Sequence, residues 1–150
     1  MKTNKLFVAL AALALLACNK IEPEVIVPET ADYQGTVTVQ YQGEPYDNEN
    51  IEVNFTPSED GKNASITIFK IRFVPQMPVT IDVTIPHVGL TATSTEVILI
   101  CDEVIPLAMG GEFPRYTVTN LTGSIKDGSL EFSLNFGDIP TTFKGHQLLK

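Results

Sequence analysis

The sequence predicts an all-β domain of about eight antiparallel strands, closed into an up-and-down barrel. From Tyr33 onward, apolar and polar residues alternate with a period of two, and turn signals separate the successive runs. No stretch of this region has the 3.6-residue apolar period of a helix. Such alternation gives a sheet one dry face and one wet face, which is typical of antiparallel sheets.

The clearest alternation runs from Ser129 to Phe136, where apolar residues occupy every second position from Leu130 onward. Three further runs alternate in the same way, at residues 36–41, 51–55 and 79–85. Together these four runs predict strands that each bury one face.

The other predicted strands are irregular. The apolar phase changes near Phe69 and again near Asn120, which predicts a β-bulge at each place. Residues 96–107 are almost continuously apolar, so we expect this strand to be covered on both faces. A last strand is predicted at about residues 141–148.

Short connections favour a meander of sequential hairpins. Asp127-Gly128 is the strongest hairpin signal, and Pro86-His87-Val88-Gly89 and Gly110-Gly111 also indicate turns. Eight strands suffice to close a meander into a barrel. A β-sandwich is the alternative fold, and it would normally include a long crossing connection.

The first residues predict an export signal. Lys2 and Lys5 precede an apolar run from Leu6 to Ala17, which is shorter than the roughly 20 residues of a membrane-spanning helix. The run ends in Leu15-Leu16-Ala17-Cys18, which resembles the lipobox of bacterial lipoproteins. The resemblance implies that residues 1–17 are a signal peptide and that Cys18 carries the lipid that anchors the mature chain to a membrane. An ordinary secretory signal with an incidental cysteine is the alternative.

Residues 18–32 are expected to form an extended tether, because they contain two prolines and no glycine. Val25-Ile26-Val27 within it could instead pair as an edge strand. Residues 19–24 are similar to the acidic export tag of Bacteroidetes surface lipoproteins. The expected location is therefore the outer membrane of the cell envelope, with the periplasmic and the surface side both open.

Charge and length limit the expected partners. Removal of residues 1–17 leaves 133 residues and changes the formal charge from −8 to −10, since Lys2 and Lys5 are lost. That length suits a single domain, expected at residues 33–150 and able to fold alone. An acidic domain repels phosphate backbones, so nucleic acid is not an expected partner.

The titratable residues predict neither a metal centre nor an active site. Cys101 is expected to be a small buried hydrophobe, because Asp102 and Glu103 beside it disfavour a reactive thiolate. His87 and His146 are far apart in sequence and are expected at the surface. No cofactor and no enzymatic activity are expected.

The β-rich part of the chain resembles the calycin-like domain of Bacteroidetes lipoproteins, a lipocalin-like barrel. The residues that carry the resemblance, besides the lipobox, are Tyr33-Gln34-Gly35-Thr36-Val37, Val83-Thr84-Ile85-Pro86 and Phe143-Lys144-Gly145. True lipocalins have a Gly-x-Trp near the first strand, and this chain has no tryptophan. The resemblance implies a barrel fold, and the family has no settled activity.

Two functions are expected. The first is a lipid-anchored envelope module that holds a small apolar or amphipathic ligand in the barrel; the alternative is a protein-interaction scaffold whose barrel is filled. An open mouth is expected near Gly110-Gly111, with a shallow apolar pocket where the Tyr41 hydroxyl would orient the ligand. The residues expected to face the barrel interior are Tyr41, Phe55, Ile81, Ile85, Phe132, Leu134 and Phe136.

Overall fold

The computed structural model describes residues 25–149, which form ten β-strands and one short 3₁₀ turn at Pro114–Tyr116. The predicted signal peptide and Cys18 lie outside the described residues. The strands are β1 (Ala31–Tyr41), β2 (Glu44–Pro57), β3 (Asn63–Ile71), β4 (Ile81–Ala92), β5 (Val97–Val104), β6 (Leu107–Ala108), β7 (Gly111–Glu112), β8 (Val118–Lys126), β9 (Ser129–Phe136) and β10 (Ile139–Gln147).

Eight of these strands form a closed antiparallel barrel. Strands β1 to β5 pair in sequence, β5 pairs with β8, and β8, β9 and β10 continue the sheet back to β1. The β3–β4 ladder makes the ring continuous. The predicted up-and-down barrel is therefore confirmed, and the strands do not divide into the two sheets of a sandwich.

The remaining strands, β6 and β7, form a small hairpin beside β4, with Leu107 opposite Thr84. Its two turn residues, Met109 and Gly110, have positive φ values of 53° and 87°, the signature of a tight I′ hairpin turn. The sequence did not predict this hairpin, because strands of two residues are too short to show a period.

The predicted hairpin at Asp127-Gly128 joins β8 to β9 and is confirmed. Both residues have positive φ, at 51° and 76°. Mirror-image turns of this kind match the twist of the strands that they join, and glycine adopts the second position without a steric penalty.

Both predicted bulges are confirmed as register shifts. One lies between Ile68 and Ile71 in the β3–β4 ladder, and the other between Thr119 and Thr122 in the β8–β9 ladder. Asn120 itself has a φ of 53°, a left-handed conformation that asparagine tolerates better than most residues.

The turn predicted at Pro86-His87-Val88-Gly89 is wrong, since these residues lie inside β4. His87 has a φ of 58° and forms a bulge against β3, after which Val88 pairs with Ala64. A proline and one left-handed residue thus disturb a short part of the ladder without ending the strand.

Candidate functional site

The barrel interior is the site that the sequence predicted, and it is filled. Phe55, Ile85 and Phe136 have no accessible surface, while Phe132 and Leu134 keep only 3 % each. A void large enough for water beside Ile85 or Phe136 would give these side chains accessible surface, and they have none. The middle of the barrel is therefore packed around them.

The other two predicted interior residues lie near the end of the barrel where β1 stops. Ile81 is half-buried and packs against the core, and Tyr41 is half-buried at the last position of β1. Both residues therefore lie at one end of the barrel and not in its packed middle.

Aromatic rings fill this same end, which we call the aromatic end. The ring of Phe73 stacks on Tyr116 with centroids 4.3 Å apart and meets Phe136 edge-on at 5.0 Å. Phe113 adds an edge contact to Tyr116 at 5.1 Å. The expected mouth near Gly110-Gly111 is instead occupied by the β6–β7 hairpin and by the chain that brings these rings onto the core.

Residues 25–30 lie across the opposite end of the barrel, and we call them the strap and this end the strap end. The backbone N–H of Ile26 donates a hydrogen bond to the carbonyl oxygen of Thr93, at 2.9 Å. Beneath the strap is a pocket of about 130 Å³ whose lining includes Tyr33, Phe55 and Ile125. Burial raises the pKa of the Tyr33 hydroxyl above its ordinary value. Val25-Ile26-Val27 therefore contacts the barrel end through one backbone bond without becoming a strand.

A wall groove opens on the outside of the barrel, between β2 and β3. The ladder between these strands runs from the Pro57–Ala64 pair to the Val53–Ile68 pair and stops there. A groove of about 390 Å³ lies beyond that point. Its lining residues are Gln34, Asn50, Ile51, Glu52, Phe69 and Lys70.

The Asn48 side chain joins β2 to β3 on the far side of the wall groove. Its Oδ1 accepts a hydrogen bond from the backbone N–H of Arg72 at 2.9 Å, and its Nδ2 donates to the Arg72 carbonyl at 3.0 Å. The amide thus replaces a missing strand residue, because it offers the same donor and acceptor as a peptide group.

Exposed apolar side chains follow β5 and β6, and we call them the apolar strip. Its members are Ile98, Ile100, Ile105, Leu107 and Met109, which are 39 %, 53 %, 37 %, 41 % and 79 % exposed. The expectation that residues 96–107 are covered on both faces is therefore wrong: the outer face of β5 is open.

Within the apolar strip, Ile98 and Ile100 have small, uncharged neighbours in the sheet, whereas Leu107 pairs with Thr84 and Glu112. Ile98 lies between Thr91 and Ser124, and Ile100 lies between Gly89 and Thr122. A shallow depression of about 230 Å³, lined in part by Thr122 and Ser124, adjoins Ile98 and Ile100. The sequence reasoning missed this surface. Its mark is that exposed apolar residues of β5 pair with serine, threonine and glycine, and these pairs can be identified only when the strand register is known.

Cys101 is half-buried at the edge of the core. Burial raises the pKa of its thiol, a hydrogen bond from the Glu103 backbone partly offsets this, and the neighbouring carboxylate of Asp102 raises the pKa again. The net upward shift favours the protonated thiol, which is the less nucleophilic form.

The two histidines are exposed and lie on different strands. His87 is in the β4 bulge, and the Nδ1 atom of His146 lies 3.0 Å from the Ser129 hydroxyl. Among residues 25–149 there is no group of three or more histidine, cysteine or acidic residues that could hold a metal ion.

Comparison with known proteins finds no matching family model, no matching curated protein and no matching solved structure. Within the part of the chain that the structure describes, no helix has the length and apolar character needed to cross a lipid bilayer.

Proposed function

We propose that this protein is a lipid-anchored scaffold of the bacterial cell envelope that binds another protein through the apolar strip. The observation that carries the proposal is the combination of a filled barrel with five exposed apolar side chains that follow β5, the connection after it and the β6–β7 hairpin. Exposed apolar patches of this kind mark interaction sites more often than chance. The proposal includes no nucleic acid, no cofactor and no catalytic step.

The anchor in this proposal is the lipid on Cys18, supported by the sequence Leu15-Leu16-Ala17-Cys18. Two or more acyl chains are needed for a durable anchor. The proposed relationship to the calycin-like lipoproteins of Bacteroidetes is supported by the same motif together with the eight-stranded barrel. The outer membrane is the proposed location.

The partner surface is expected to be apolar with a basic group at its middle. Asp102 and Glu103 are exposed between the two halves of the apolar strip, whereas the sheet neighbours of Ile98 and Ile100 carry no charge. A lysine or arginine opposite these carboxylates would fix the register of the complex and exclude acidic surfaces.

Site-specific photo-crosslinking in the living bacterium tests this proposal. A photoreactive residue at Ile100 should give one discrete adduct, while the same residue at Gln40, which is exposed on β1 across the barrel from β5, should give none. Asp102→Lys should weaken the adduct at position 100, and the matched charge reversal Glu49→Lys on β2, where Glu49 is exposed, should leave it unchanged. Equal adducts at positions 100 and 40, or none at either, would contradict the proposal.

A small amphipathic ligand is the second candidate, and the volume of the wall groove favours it. Small-molecule sites commonly enclose about 300–1,000 Å³. The wall groove measures about 390 Å³, whereas the pocket beneath the strap measures about 130 Å³. Phe69 and Ile51 would contact the apolar part of the ligand, and Lys70 or Glu52 its polar end.

Thermal-shift screening with bile-acid-type and fatty-acid ligands tests the second candidate. A ligand that binds in the wall groove should raise the unfolding temperature of the native protein and lose that effect in Phe69→Ala. Ile98→Ala, on β5 beside the opposite end of β4, should keep the response. A response that survives Phe69→Ala would place the ligand elsewhere, and no response from either class would remove this candidate.

A further inference from the structure

The strap connects the proposed anchor directly to one end of the barrel. Val25 follows Cys18 by seven positions in the chain, so the two are at most about 25 Å apart at roughly 3.6 Å per position. Ile26 is hydrogen-bonded to Thr93 at the strap end. The lipid is therefore held near the strap end for as long as the strap stays bound.

The aromatic end lies too far from the strap end for the lipid to be near both ends at once. Strand β4 contains 12 residues, which gives about 40 Å along the strand at about 3.3 Å per residue. A strand tilt near 40° reduces this to a barrel height of roughly 30 Å. With the strap bound, the lipid cannot bring the aromatic end to the membrane surface without tipping the whole barrel over.

The strap end also carries the exposed apolar side chains that a bilayer would cover. Val25 is 57 % exposed, Val27 is 77 % exposed and Leu149 is 94 % exposed. The backbone N–H of Leu148 donates to the Asp32 carbonyl at 2.8 Å, which holds the C-terminal segment beside the start of β1. We propose that the strap end rests on the lipid bilayer, which covers Val25, Val27 and Leu149. The inference rests on the proposed anchor at Cys18.

Charge determines what kind of contact this is. Acidic groups outnumber basic ones in the described part of the strap end, so anionic headgroups are repelled. The contact therefore forms on a zwitterionic bilayer, depends on the acyl anchor, and adds no affinity for anionic lipid. These charged residues are Glu29, Asp32, Glu59, Asp60, Glu96 and Asp127 against Lys62 and Lys126.

Fluorescence quenching by brominated phosphatidylcholine tests the orientation, because the chain has no tryptophan of its own. A single tryptophan is introduced into the lipidated full-length protein at Val27 or at Met109. Val27 is 77 % exposed and lies at the strap end. Met109 is 79 % exposed and lies in the β6–β7 hairpin beside the aromatic end. In phosphatidylcholine vesicles, brominated acyl chains should quench Val27→Trp at least several-fold more than Met109→Trp.

The outcomes separate the orientation from the anchor. Vesicle flotation reports the anchor: if the protein does not float with vesicles, or if Cys18→Ala floats equally well, the lipid on Cys18 is wrong and the orientation that rests on it is overturned too. If the protein floats and the two tryptophans are quenched equally, or Met109→Trp more, the anchor stands and the orientation alone is overturned. A Val27→Trp that is unquenched but blue-shifted indicates protein cover, and it overturns the bilayer contact as well.

Discussion

Phe132 and Glu131 are neighbours in β9 whose side chains point to opposite sides of the barrel wall. The Phe132 ring is 3 % exposed and lies against Phe143 with centroids 5.4 Å apart, whereas Glu131 is exposed. We expect Phe132→Ala to lower the free energy of unfolding by about 3–5 kcal/mol, the usual cost of truncating a buried phenylalanine. Glu131→Ala should change it by less than about 0.5 kcal/mol. Urea denaturation measures both, and similar midpoints would mean that the two side chains do not differ in burial.

The raised pKa of Cys101 predicts slow alkylation at neutral pH. Since burial and then Asp102 disfavour the thiolate, the alkylation rate in the folded protein should reach its half-maximum at a higher pH than in the protein unfolded by urea. Iodoacetamide labelling of a Cys18→Ala variant, in which Cys101 is the remaining cysteine, measures that midpoint. Asp102→Asn should lower it, and a folded-state midpoint at or below the unfolded one would refute the prediction.

At the residue scale, alternation predicted burial well in β9. Every apolar residue of β9 from Leu130 to Phe136 is buried. The prediction failed in β5, where Ile98 and Ile100 are exposed. The sequence alone does not show whether an apolar residue is covered by its own chain, by a partner or by solvent. The exposure of the outer face of β5 could therefore not be predicted from composition.

Asn48 shows how a side chain can maintain a barrel wall where two strands separate. It is only 8 % exposed, and its amide hydrogen-bonds to both backbone groups of Arg72. Without it, the Arg72 N–H and C=O would lose their partner beside the wall groove. Buried backbone groups left unpaired are costly, which explains why an asparagine lies inside a largely apolar strand face.

We therefore expect Asn48→Ala to lower the free energy of unfolding by about 1–3 kcal/mol, the cost of leaving buried polar groups unsatisfied. Amide hydrogen exchange at Arg72 should also accelerate, because its N–H loses the Asn48 oxygen. Glu49→Ala is the matched control, since Glu49 is adjacent and exposed, and it should change neither quantity. An unchanged exchange rate at Arg72 in Asn48→Ala would show that this bridge does not stabilise the wall.

At the element scale, the sequence predicted the eight barrel strands because each one is a long, apolar-rich run bounded by turn signals, and four of the runs also alternate cleanly. It missed the β6–β7 hairpin for lack of length, and it misread Pro86-His87 as a turn because a bulge and a turn use the same residue types. It also gave no sign of the wall groove. That groove depends on where the β2–β3 ladder stops, and register is set by the pairing of distant strands.

For the whole molecule, the barrel is covered at both ends as well as packed in its middle, which favours a scaffold over a ligand-holding barrel. Stacked rings occupy the aromatic end, and the strap covers the strap end. The sequence predicted large inward side chains, but it also predicted one open end because glycines cluster at Gly110-Gly111. Glycine marks the position of a turn without indicating whether that turn lies over the core or away from it.

The strap should contribute to stability without being required for the fold. It touches the barrel through the Ile26–Thr93 hydrogen bond and covers Tyr33, Phe55 and Ile125, while all ten strands begin after it. A fragment of residues 31–150 should therefore keep a β-type far-UV circular dichroism spectrum. This shorter fragment should unfold at a lower temperature than a fragment of residues 25–150, because removal of the strap uncovers apolar side chains.

The dye ANS, which fluoresces on contact with apolar surface, provides the second measurement on the same pair of fragments. The shorter fragment should bind ANS at the uncovered end of the barrel, whereas the longer one should bind less. Ile26→Ala in the longer fragment should give an intermediate result, since it keeps the backbone bond to Thr93 and removes most of the side chain. Equal unfolding temperatures and equal ANS fluorescence in the two fragments would show that residues 25–30 do not pack on the barrel. A helical spectrum in either fragment would contradict the barrel itself.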